Sequence, residues 1–177
     1  MSATIGLFYG STTGNTDDVA QQLLELLSEY DVELHDVADS DLSLLASYEY
    51  LILGIPTWDF GELQEDWLDQ WGQLDSLAMA GKHCALFGLG DQIGYGEWFL
   101  DAMGLLHDQL QQRGATMVGY WPVDGYKFEA SKALTSDSKQ FVGLALDEDT
   151  QHIDTAERLE QWAAQILAEF GLVEAGS

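Results

Sequence analysis

The amino-acid sequence predicts a doubly wound α/β fold, a three-layer sandwich with a five-stranded parallel sheet between two layers of helices. Two observations point there. Continuous apolar runs of strand length recur along the chain, and YLILGI (50–55) reads as a strand covered on both faces. Amphipathic helical stretches separate these runs, which implies βαβ units and right-handed crossovers. A common order for five such strands is 2-1-3-4-5. No internal repeat or low-complexity linker interrupts the alternation, so the 177 residues read as a single domain, 1-177.

The elements follow in order. TIGLFY (4–9) reads as the first strand, and DDVAQQLLELLSEY (17–30) places Val19, Leu23, Leu24 and Leu27 at helical spacing. VELHDV (32–37) alternates and is β-rich, and the short segment DLSLLASY leads to YLILGI. LQEDWLDQWGQL (63–74) reads as helical, and HCALFGLG (83–90) as a buried strand ending in glycines. GEWFLDAMGLLHDQLQQRG (96–114) is a helix with Gly114 as its C-cap, and ATMVGYW (115–121) starts a fifth strand. The pattern then breaks. PVDGYKFEASKALTSDSKQ (122–140) is polar and turn-rich before FVGLAL (141–146) resumes, so it reads as an excursion interrupting or following strand five. The last helix, 154–171, has Asp154 and Glu157 in capping-box spacing, with Leu159, Trp162, Ile166 and Phe170 as a buried stripe.

The charge balance narrows the function. There are 31 Asp plus Glu against 6 Lys plus Arg, a formal net charge of −25. Nucleic acid and anionic membranes both need clustered cations, so neither is an expected partner. A basic protein surface is the natural complement. A saline cytoplasm is a second reading of the excess acid, and it predicts lower stability at low salt. The opening MSATIGLFYGS has no basic n-region and no stretch approaches a membrane span, so the chain reads as cytoplasmic. Cys84 is the single cysteine, which excludes an internal disulfide. His35, His83, His107 and His152 show no ligand spacing, so no metal site is expected.

In this fold, ligands bind beyond the carboxyl ends of the strands where the strand order reverses. Three loops therefore matter. The first is YGSTTGNT (9–16), where Ser11, Thr12, Thr13 and Thr16 offer hydroxyls and Asn15 an amide; Gly10 and Gly14 allow unusual backbone angles and close approach. A helix starting there points unpaired N–H groups at the loop, a phosphate cradle with no Lys or Arg before Lys82. Neither the P-loop pattern nor GxGxxG is present, and a Ser/Thr-rich turn that only caps a helix is the plain alternative. The second loop, GIPTWDFGELQEDW, sets Trp58 in a Pro/Gly-bounded turn, and the third, FGLGDQIGYG, surrounds Asp91 and Tyr95 with glycines. A phosphate cradle beside two aromatic plates suits a flat ring with a phosphate tail.

LFYGSTTGNT, PTWDFGELQEDW, FGLGDQIGYG and GYWPVDGYKFEASKAL…KQFVGLALDED together resemble a flavodoxin of the long-chain class, in order and over nearly the whole chain. The resemblance implies non-covalently bound FMN and a low-potential one-electron carrier that works between semiquinone and hydroquinone without substrate turnover. It implies a flavodoxin-like fold whose fifth strand is interrupted by a long-chain insertion at 122–140. By the same resemblance Ser11, Thr12, Thr13, Gly14, Asn15 and Thr16 take the phosphate, and Trp58 and Tyr95 sandwich the ring. Pro56, Thr57, Asp59, Phe60 and Gly61 border the ring in the second loop, and backbone at Gly90 and Asp91 meets its pyrimidine end. Two positions differ from common relatives: Asn15 where some have Lys, and Asp59 where Asn is common. The Asp59 carboxylate is expected to oppose full reduction, so Asp59→Asn should raise the low-potential couple. Implied partners are redox proteins with basic patches: an NADP reductase, nitrogenase, photosystem I or a 2-oxoacid oxidoreductase, met by a monomer.

Two other functions fit such a fold. A flavin-dependent NAD(P)H:quinone reductase would show direct quinone turnover. A response-regulator receiver needs clustered acids at the end of strand one, where this chain has FYGSTT.

Overall fold

The structure, a computed structural model, describes residues 4–11, 14–58, 62–94, 96–148 and 151–172, the side chains of Thr4 and Trp58 excepted. Strand β1 (Thr4–Tyr9) lies inside a parallel sheet, flanked by β2 (Asp31–Asp36) and β3 (Tyr50–Trp58). Next to β3 lies β5 (His83–Leu89), and beyond β5 lies β6 (Thr116–Val118), giving the order β2-β1-β3-β5-β6. This is the expected 2-1-3-4-5 order, with Ile5 opposite both Val32 and Tyr50. One short strand was not foreseen: β4 (Glu62–Leu63) folds back antiparallel on the end of β3, pairing Trp58 with Glu62. Strand β3 therefore runs on through Pro56, three residues past the apolar run that marks it in the sequence.

Alternation along the strands divides the core between the two faces. Ile5, Leu7, Tyr9, Ile52 and Phe87 face helices α1 (Asn15–Leu26) and α4 (Thr155–Glu169). Phe8, Leu51, Leu53 and Ile55 face α2 (Glu65–Gln70) and α3 (Asp101–Gln112). The predicted stripe of Leu159, Trp162, Ile166 and Phe170 is buried, as are Val19 and Leu23 on α1 and Leu27 at its C-cap; Leu24 is only partly covered. Helix α3 starts later than its sequence pattern suggests, because Leu100 at φ 61 breaks the chain between a 3₁₀ turn (Gly96–Trp98) and the helix. Gly114, at φ 104, ends it as expected. The 63–74 stretch is likewise divided, α2 giving way to a 3₁₀ segment over Trp71–Ser76. Asp154 does sit at the N-cap of α4, but in a helical conformation and without a capping hydrogen bond, so the capping box does not form. The preceding 3₁₀ turn (His152–Asp154) already winds the chain, and Arg158 reaches back to Asp154 at 3.9 Å.

Strand five is split. The first half of β5 pairs with β6, and its second half pairs with β9 (Leu144–Leu146), both parallel. Between them the chain leaves the sheet at Gly119, whose carbonyl accepts from the Trp162 indole at 2.8 Å and whose amide donates to Glu169 at 2.7 Å. It then makes a small antiparallel pair, β7 (Trp121–Pro122) with β8 (Gln140–Phe141), before returning as β9. The excursion is packed against the body of the fold. Phe99 stacks on Phe128 at 5.5 Å and meets Phe141 edge-on at 5.7 Å, and the Tyr126 hydroxyl donates to the Ala145 carbonyl at 2.5 Å. It is therefore a structural element of the α3 face.

Candidate functional site

The carboxyl ends of β1, β3 and β5 lie side by side, so the loops that follow them converge at the point where the strand order reverses. The Gly10 amide donates to the Gly54 carbonyl at 3.3 Å, which ties the end of β1 to β3, and the Gly90 amide donates to the Leu146 carbonyl at 3.0 Å, which ties the end of β5 to β9. Of the residues singled out in the sequence, Thr12, Thr13, Asp59, Phe60, Gly61 and Tyr95, with the side chain of Trp58, lie outside the described residues. The others can be placed.

In the first loop, Gly14 occupies the N-cap of α1 at φ 93, a left-handed conformation that disfavours any residue with a Cβ. The Ser11 hydroxyl accepts from the Gly14 amide at 3.0 Å and closes the turn. The first helical bond runs from Asp18 to the Gly14 carbonyl at 3.0 Å, and among the described residues the amides of Asn15, Thr16 and Asp17 take no acceptor. Three backbone donors and the positive end of a 12-residue helix thus face the loop. Gly10 serves a close approach, here of helix α2. A Cβ there would fall 2.4 Å from Gln64 Oε1 and 2.7 Å from the Trp67 ring, so glycine is needed for α2 to approach β1.

The surrounding field is negative. Asp17 and Asp18 sit in the first turn of α1. Tyr9, buried at the end of β1, has its phenol pushed well above the ordinary range, first by burial and then by the carboxylates of Asp17 and Asp36. The placed cations are engaged elsewhere or lie in the insertion. Lys82 donates to the carbonyls of Ala46 and Tyr48, Arg113 pairs with Asp75 at 2.7 Å, and Arg158 lies 4.4 Å over the Tyr126 ring. Lys127, Lys132 and Lys139 belong to the insertion. The loop itself, YGSTTGNT, offers an anion neutral donors only.

In the second loop, Pro56 is buried in β3 and the Thr57 hydroxyl accepts from the Ala102 amide at 3.0 Å, which fixes the end of β3 against the start of α3. Two residues that were not singled out stiffen this region. Gln64 caps α2, its Oε1 accepting from the amides of Asp66 and Trp67, and the Trp67 indole donates to the Gly54 carbonyl at 3.0 Å. Glutamine is not a usual N-cap, so little in the local pattern marks it.

In the third loop, Asp91 Oδ1 accepts from the amides of Ile93 at 3.0 Å and Gly94 at 2.7 Å, a side-chain turn that shapes the loop. Gly90 and Gln92 donate to Leu146 and Asp147. The Asp91 amide alone in this run takes no acceptor among the described residues. Donors without an acceptor among the described residues therefore stand at both ends of the site, one set suited to a phosphate and one to the polar edge of a ring. That donor set fits a flavin mononucleotide.

Cys84 is buried in β5, and burial pushes its thiol up to about 12. Among the described residues no group of His, Cys, Asp and Glu could hold a metal ion, and no helix is long and apolar enough to cross a membrane.

The comparisons agree with this geometry. The family model described as flavodoxin matches residues 7–162. Flavodoxin 2 of Escherichia coli K12 is 52% identical over 165 residues, 93% of this chain and 95% of that protein. The flavodoxin of Nostoc sp. PCC 7120 is 49% identical over 172 residues, 97% of this chain and all (100%) of that protein. A crystal structure of Fusobacterium nucleatum flavodoxin bound to flavin mononucleotide superposes with a TM-score of 0.90 at 31% identity, covering 94% of this chain and 98% of that one.

Proposed function

This chain belongs to the flavodoxin family, and from that premise we infer that it carries single electrons between redox proteins on a non-covalently held FMN, with no substrate turnover of its own. The observation that supports this most is the pairing of free donors at the two ends of one site, at Asn15–Asp17 and at Asp91. FMN, when bound, supplies the one-electron chemistry. The chain's own residues bind it, orient it and set its electrostatic surroundings.

We assign the phosphate to Ser11, Thr12, Thr13, Gly14, Asn15 and Thr16, where hydroxyls and helix-start amides replace a cation. The ring is assigned to Pro56, Thr57, Trp58, Asp59, Phe60 and Gly61 on one side and to Gly90, Asp91 and Tyr95 on the other. Asp17, Asp18 and Asp36 disfavour added negative charge nearby, which makes the fully reduced carrier a strong reductant. The acid surface steers basic docking patches toward the protein. An NADP reductase, nitrogenase, photosystem I and a 2-oxoacid oxidoreductase are partners of the fitting kind, met in the cytoplasm by a monomer.

The test is uptake of FMN by the apo-protein. Quenching of flavin fluorescence at one equivalent and two resolved one-electron steps in a reductive titration are expected. A protein that takes up no FMN, or that turns over NAD(P)H and quinone briskly, would overturn the reading.

A further inference from the structure

Gln92 is 3% exposed, although glutamine is seldom buried unless its polar atoms are bonded. It joins three segments. Its amide donates to Asp147 Oδ2 at 3.0 Å, just beyond β9, and its side-chain Oε1 accepts from the Lys127 amide in the insertion. Asp147 is itself 0% exposed, and its carbonyl accepts from Gln151 at 2.8 Å, so it is a fixed anchor.

These bonds have a consequence for Asp91. The peptide before Gly90 is fixed by Gly90 N–H to Leu146 O, and the peptide before Gln92 by Gln92 N–H to Asp147. Peptide units are planar, so these bonds hold the Cα atoms of Gly90 and Asp91, the two ends of the unit that presents the Asp91 N–H. The Asp91 carboxylate adds a third constraint through Ile93 and Gly94. The insertion holds the far side of the same loop: Gly96 O accepts from Glu129 and Ala130, at 2.8 and 2.9 Å, and Phe99 N–H donates to Ala130 O at 3.2 Å.

Resting on the FMN reading above, we propose that Gln92 is a positioning residue: by tying the third loop to Asp147 and to the insertion at Lys127, it sets the N–H that Asp91 presents to the flavin ring. A fixed donor bonds more strongly to an acceptor that gains negative charge than to a neutral one. Losing its placement therefore weakens binding of the reduced ring more than that of the oxidised ring, and the potential falls.

Three variants test this. Gln92→Ala removes the acceptor of the Lys127 N–H, Lys127→Pro removes the N–H, and Lys127→Ala removes neither. Gln92→Ala and Lys127→Pro should weaken binding of riboflavin and FMN by a similar factor, about tenfold, because the loop serves the ring and not the phosphate. The affinity ratio of the one-electron-reduced to the fully reduced flavin should shift at least threefold, lowering the potential of the second electron by about 28 mV at ~59 mV per tenfold. Amide exchange at residues 91–94 of the apo-protein should quicken in both, with Lys127→Ala like wild type in every measurement. Should either variant fold poorly, exchange and riboflavin binding in the other still decide the matter. Wild-type protein that binds neither flavin overturns the cofactor reading and this one with it. Wild type that binds both, with Gln92→Ala unchanged in potential and riboflavin affinity, overturns the role of Gln92 alone.

Discussion

The Trp67 indole N–H meets the Gly54 carbonyl at 3.0 Å, the same carbonyl that receives the Gly10 amide at 3.3 Å. One oxygen at the end of β3 thus gathers α2 and the end of β1, immediately beneath the first and second loops. Replacing Trp67 with Phe keeps most of the ring and removes the donor. Gly54 O keeps its Gly10 partner, so the loss is about 1 kcal/mol of stability, the value of one hydrogen bond. Trp67→Ala, which also empties a fully buried site, is expected to cost ~3–5 kcal/mol. Urea unfolding of the apo-protein checks both, and equal losses in the two variants would contradict the role given to the indole N–H.

Gly14 offers a cleaner probe of the phosphate loop. At φ 93 it is strained for any other residue, yet a Cβ there meets nothing within 4 Å. Gly14→Ala therefore acts through backbone strain alone, at about 1–2 kcal/mol. Gly14→Asn should be milder, because Asn tolerates the left-handed region. FMN binding should weaken by about tenfold in Gly14→Ala (roughly 1.4 kcal/mol), while riboflavin, which lacks the phosphate, should bind as to wild type. Equal weakening of both ligands would mean that Gly14 does not serve the phosphate.

Much of this site was legible because its signals are local. The run TIGLFY gave β1 to the residue, since a strand buried on both faces is continuously apolar, and the stripe from Leu159 to Phe170 gave the buried face of α4. Ser11, Gly14 and Asn15 could be read as a cradle because loop and helix start are contiguous in sequence. What escaped depends on distant partners. The break at 122–140 did announce an interrupted fifth strand, but its partition into two three-residue pairings with β5, by β6 and by β9, is encoded by no local pattern. Gln64 and Gln92 look like ordinary polar loop residues until Trp67, Asp147 and Lys127 surround them. Asp154 shows the opposite failure: its spacing to Glu157 fits a capping box, but the preceding 3₁₀ turn already sets its backbone.

His107 predicts a pH dependence of stability. It is buried on α3, with Nε2 2.6 Å from the Tyr120 hydroxyl, and burial lowers its pKa, with Asp108 opposing. Below the ordinary histidine value of about 6.5 the unfolded chain takes a proton that the folded chain refuses. The unfolded state then binds more protons, so stability falls as pH drops through this window and recovers as pH rises. In His107→Gln, which can keep a bond to Tyr120, this contribution should vanish. Unfolding free energies at pH 7.5, 6.0 and 5.0 should therefore fall less steeply in His107→Gln than in wild type. Identical slopes would show that His107 titrates alike in both states.

The net charge of −25 predicts a dependence on salt that no single contact explains. Carboxylates repel one another across the folded surface, and of the six Lys and Arg side chains only Lys82, Arg113 and Arg158 are held by carbonyls, carboxylates or a ring among the described residues. Sodium chloride shortens the Debye length from about 10 Å at 0.1 M to ~3 Å at 1 M, which removes most of that repulsion. The unfolded chain, being expanded, gains less from the screening. A gain of about 2 kcal/mol is expected, or ~4–8 °C in melting temperature for a domain of this size. The same screening weakens steering, so association with a basic redox protein should slow as salt rises while the fold becomes more stable. The two trends run in opposite directions and share one cause. A melting temperature that does not change between 0.1 and 1 M sodium chloride would show that self-repulsion is already balanced in the folded protein.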